Sequence, residues 1–66
     1  MTSYKVKAFN LQRPDKPTDS IVTANQGKAK DFAYQRLGKG QKVLIENLDT
    51  GEAKCFEGTD ARVVLP

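Results

Sequence analysis

Between Asn25 and Gly38 lies the one stretch of this chain with a helical repeat: Ala29, Phe32, Ala33 and Leu37 stand three and four residues apart, with Arg36 in the same series. One amphipathic helix cannot bury its own apolar stripe, so the remaining residues must supply the surface it packs on. On both sides of the helix the pattern changes to alternation, the period of half-buried strands. That combination dictates an α+β fold with one helix laid on one sheet. Asn25 is placed to accept a hydrogen bond from a first-turn amide, which predicts a helix over 26–37. Gly38 follows Leu37 where a left-handed helix end favours glycine, and Lys39-Gly40 extends the break. Gly27 in the first turn weakens the helix by about 0.5–1 kcal/mol relative to alanine, a deficit that packing of Phe32 has to offset.

Tyr4 to Phe9 alternates and predicts the first strand. Leu11 to Asp19 contains Pro14, Pro17 and several turn formers and reads as an exposed loop, followed by a brief second strand at Ile21-Val22-Thr23. Beyond the helix, residues 41–47 and 52–57 should pair as a hairpin whose turn places Gly51 at positive φ. Gly58-Thr59-Asp60 is a further turn, and Ala61 to Leu65 is a candidate short C-terminal edge strand ended by Pro66. The expected order is ββαββ, an antiparallel sheet covered on one face, within a single domain over 1–66. The more apolar parity set, Tyr4, Val6, Ala8, Val43, Ile45, Ala53 and Cys55, is expected to meet Phe32 and Leu37. By elimination the open face shows Lys5, Lys7, Phe9, Lys42, Leu44, Glu46, Lys54 and Phe56.

Composition narrows the chemistry. At 66 residues the chain has room for one core and can bury roughly 60% of its unfolded surface. With 38% hydrophobic and 29% charged residues it still carries enough apolar side chains to fold. The segment Met1-Thr2-Ser3-Tyr4 shows no charged region leading into an apolar stretch, so neither a signal peptide nor a membrane span is expected, and a cytoplasmic setting follows. Histidine is absent and Cys55 is the only cysteine, which removes an internal disulfide, the usual zinc ligand sets and histidine-based catalysis. No catalytic residue, cofactor or metal is therefore expected. The net charge of +3 is unevenly spread: residues 1–42 hold nine Lys/Arg against three Asp/Glu (+6), and residues 43–66 hold two against five (−3). Such asymmetry points to a basic contact surface.

Leu48-Asp49-Thr50-Gly51 resembles the short signature of aspartic proteases, in which two such loops bring paired carboxylates together; the likeness implies a dimeric enzyme with Asp49 as one of the pair. The same Asp-x-Gly run is ordinary hairpin chemistry, and that reading is preferred. Cys55, with no histidine to activate it, reads as a small buried hydrophobe. Gly38-Lys39-Gly40 lacks phosphate-loop spacing and lies at a helix C-terminus, which repels anions. Lys28, Lys30, Arg36 and Lys39 form a candidate basic stripe along the helix.

The better candidate site is the open sheet face, where Lys5, Lys7, Phe9, Lys42, Leu44, Lys54 and Phe56 combine cations with large apolar groups. It suits an acidic surface of a larger protein, making the chain a non-enzymatic regulator or inhibitor that docks through this face or a sheet edge. In size and layout the chain is similar to small phage-encoded proteins that inhibit host machines. The alternative is binding of single-stranded nucleic acid, with Phe9 and Phe56 stacking bases and the lysines neutralising phosphates. A second copy of the chain could also cover the same apolar residues, giving a homodimer.

Overall fold

The computed structural model describes residues 2–66. Five elements follow one another: β1 (Tyr4–Asn10), β2 (Arg13–Thr23), α1 (Gln26–Gly38), β3 (Lys42–Asn47) and β4 (Ala53–Phe56). The four strands form one antiparallel sheet in the order β2-β1-β3-β4. The ββαββ order and the single helix on a sheet face are as the periodicity predicts. Because β2 and β3 both run antiparallel to β1 and flank it, they are parallel to each other, and α1 is the crossover that joins them over β1. The helix accordingly packs mainly on β1, with β2 and β3 at its sides.

Small side chains let the helix lie close to the sheet. Ala29 and Ala33 are wholly buried, as is Ala8 on β1, while Leu37 fills the space at the helix end. Tyr4, Val6, Val43 and Ile45 complete the sheet side of the core, with Phe32 packed against its margin. The N-terminus is capped as its sequence suggests: Asn25 Oδ1 accepts from Lys28 N–H at 3.1 Å. Gly27 has a role there, since a Cβ on it would stand 3.2 Å from that capping oxygen. At the other end the left-handed residue is Gly40 (φ 78) and not Gly38, which remains helical. The amides of Lys39 and Gln41 both bond Arg36 O, and that of Gly40 bonds Leu37 O, so the left-handed closing residue comes two positions later than Gly38 suggests.

Two further expectations are corrected. Arg13–Thr23 is an eleven-residue strand, not a loop leading to a three-residue one. Its prolines are tolerated because β2 is the outermost strand and pairs only with β1, so a missing outward N–H costs no ladder bond. The register slips where Ala8 faces Asp19 but Phe9 faces Pro17 and Asn10 faces Arg13, irregularities that absorb the turn formers within the ladder. The second correction concerns Ala61 to Leu65, which adopts no strand. This tail instead folds onto the helix side of the sheet. Val63 is only 4% exposed and joins the core, its N–H donates to Tyr34 Oη at 3.1 Å, and Ala61 and Leu65 pack beside it. The tail ends at Asn47, whose Nδ2 donates to Pro66 O at 3.1 Å.

Candidate functional site

The side chains of β1 and β3 alternate cleanly between buried and half-buried, which fixes the two faces of the sheet. Tyr4, Val6, Ala8, Val43 and Ile45 face the helix, as expected. Lys5, Lys7, Phe9, Lys42, Leu44 and Glu46 are half-buried on the other face, across which none of the described elements lies. There Lys5 stands opposite Glu46, Lys7 opposite Leu44 and Phe9 opposite Lys42.

On β4 the expected parity is overturned. Val43 pairs with Phe56, Leu44 with Cys55, Ile45 with Lys54 and Glu46 with Ala53. Directly opposed residues share a face, so Lys54 and Phe56 lie on the helix side and leave the proposed binding face, with Phe56 packed against the core. Ala53 and Cys55 take their places on the open face and are exposed, so Cys55 is not a core residue. The cause is the hairpin. Four residues, Leu48 to Gly51, connect the strands, with Gly51 N–H bonded to Asn47 O, Asn47 N–H bonded to Glu52 O and Gly51 at φ 79. Facing Asn47 to Glu52 forces Phe56 to face Val43.

The sequence reading also missed Val22, which stands opposite Lys5 and is 61% exposed. Val22 lies within the expected second strand, but only its pairing with Lys5, which periodicity does not encode, places it on this face. The resulting face has an apolar diagonal, Phe9 to Leu44 to Cys55, reaching the free edge of the sheet, with Lys7 and Lys42 beside Leu44. Its charged members are Lys5, Lys7, Lys42 and Glu46.

The helix stripe does not exist as one surface. Lys28 and Lys30 are two residues apart and thus project about 160° from each other around the helix. Arg36, half-buried on the β2 side, is ion-paired with Asp19 and lies 4.9 Å from the Phe32 ring centroid. Lys39 follows the helix and is exposed. Asp49 is exposed at the hairpin tip, its amide held at 2.9 Å by Asn47 Oδ1, which also accepts from Thr50 N–H at 3.1 Å. Among the described residues no three His, Cys, Asp or Glu side chains gather as a metal site, and no helix is long and apolar enough to cross a membrane.

No family model, curated protein or solved structure matches this chain. What it does has to be argued from its own surfaces.

Proposed function

We propose that the chain is a binding module that docks on an acidic surface of a larger protein through the open face of its sheet, acting as a regulator or inhibitor by occupying that surface. The observation carrying this reading is the apolar diagonal Phe9, Leu44 and Cys55, bordered by Lys7 and Lys42 and left uncovered by both helix and tail. Apolar contacts rimmed by cations suit a protein surface with carboxylates around a shallow apolar patch. The register of β4 favours a protein over nucleic acid. With Phe56 on the helix side, Phe9 is the one aromatic left on the face among the described residues, and stacking of successive bases needs several. Three lysines against Glu46 offer few phosphate contacts. A cytoplasmic setting, where thiols stay reduced, suits the exposed free Cys55.

A photoreactive amino acid placed at Leu44, and for comparison at the exposed helix residue Gln35, tests this directly. Irradiation in a lysate of the native host should yield a discrete, protease-sensitive adduct from position 44 that is absent from position 35. A nuclease-sensitive adduct from position 44 would establish the nucleic-acid alternative instead. Adducts of equal yield from both positions, or none from 44, would overturn the docking face.

A further inference from the structure

The two edges of the sheet differ in how well they are defended. On β2, Pro14 and Pro17 offer no N–H, the register is broken at Phe9 and Asn10, and the outward Ser20 N–H is taken by Asp19 Oδ1 at 2.9 Å. These are the devices by which edge strands avoid further pairing. The outer side of β4 has no proline, no break in register and, among the described residues, no side chain that takes up an outward amide; its only protection is its four-residue length and Lys54. The bond from Asn47 N–H to Glu52 O sets the phase of the ladder, so Glu52, Lys54 and Phe56 turn their backbone groups toward β3 while Ala53 and Cys55 turn theirs outward. Among the described residues nothing bonds those outward groups, and Ala53, Lys54 and Cys55 are all exposed. The tail leaves this edge open, running over the helix side and bonding Tyr34 and Asn47.

We propose that β4 accepts an extended segment of the protein partner as a fifth strand, and that this segment carries a carboxylate side chain opposite Lys54 flanked by apolar residues. The proposal rests on the docking reading above and specifies the partner's chemistry. The side chains of β4 determine it. On the helix side an incoming strand meets Lys54, where an opposed carboxylate is favoured. On the open side it meets Ala53 and Cys55, a shallow apolar shelf continuous with Leu44, where apolar β-branched residues fit. A second copy of this chain is a poor occupant in the register that pairs Ala53 with Cys55. The two-fold pairing that bonds Ala53 to Cys55 of the other copy twice sets Lys54 against its own counterpart, and like charges directly opposed are destabilising.

The test uses the full chain, labelled with nitrogen-15, and two blocked peptides, Thr-Val-Glu-Val-Thr and Thr-Val-Lys-Val-Thr. The glutamate peptide should shift the amides of Ala53 and Cys55, slow their exchange with solvent, and bind about threefold to tenfold tighter than the lysine peptide. Lys54→Glu, an exposed substitution, should reverse that preference. Perturbation centred on β2, a preference unchanged by Lys54→Glu, or no response of β4 to either peptide at millimolar concentration overturns the proposal. Should the edge fail while position 44 still crosslinks to a protein, the docking face stands and only the fifth strand falls.

Discussion

Asn47 concentrates more of the fold in one side chain than any other polar residue. It is 6% exposed, its Oδ1 accepts from Asp49 and Thr50, its Nδ2 donates to Pro66 O, and its backbone closes the hairpin. Replacing it with alanine leaves two turn amides and the tail carbonyl without their protein partners, at a cost set by desolvation as well as by the lost bonds. Asn47→Ala is expected to lower stability by about 2 kcal/mol, measured by urea unfolding followed by circular dichroism. Thr50→Ala removes only an exposed acceptor for Glu52 N–H and should cost under about 0.5 kcal/mol. Equal effects would mean that the turn is held by its backbone alone. The same contacts explain Asp49-Thr50-Gly51 in this chain: the run serves a hairpin turn whose amides are fed by Asn47.

At the scale of elements, the register of β4 decides which residues are exposed. Cys55 on the open face should react with a thiol reagent in the native state at a rate close to that of the unfolded chain, and Cys55→Ser should change stability by less than about 0.5 kcal/mol. Phe56→Ala, on the helix side, should cost about 2 kcal/mol or more. A protected thiol together with a neutral Phe56→Ala would place β4 one residue out of register. The helix, β1, β3 and the hairpin were legible in the sequence because their periods are unbroken and because Asn25 and Gly51 have specific stereochemical uses. The parity of β4 was not, since choosing by apolar content favours Ala53 and Cys55, whereas the connection length favours Phe56. Counting the four residues from Leu48 to Gly51 would have decided it. Most of β2 was hidden by its prolines, which forbid a central strand but not an outermost one.

For the molecule as a whole, the sheet is wider than one helix can cover, and the tail supplies the missing cover. At about 0.05–0.15 kcal/mol per residue a chain of this length holds a few kcal/mol in reserve, so a single buried side chain matters. Val63→Ala should cost about 1 to 2 kcal/mol, and removal of residues 61–66 should lower the melting temperature far more than any exposed substitution, both read by thermal unfolding. A truncated chain that melts like the full one would show that the helix alone completes the core. The candidate site was legible in part for a related reason: alternation in β1 and β3 identifies Lys5, Lys7, Phe9, Lys42 and Leu44, but the contributions of the outer strands depend on pairing that periodicity does not encode.

The sheet order also bears on how the chain is made. Strand β1 is interior, yet its neighbour β3 is synthesised only after β2 and the helix. Until Lys42–Asn47 emerges, the backbone groups of Lys5, Lys7 and Phe9 that will bond β3 have no ladder to join. During that interval a nascent chain carries an unshielded interior strand, and cross-chain pairing between neighbours on a polysome competes with completion of the fold.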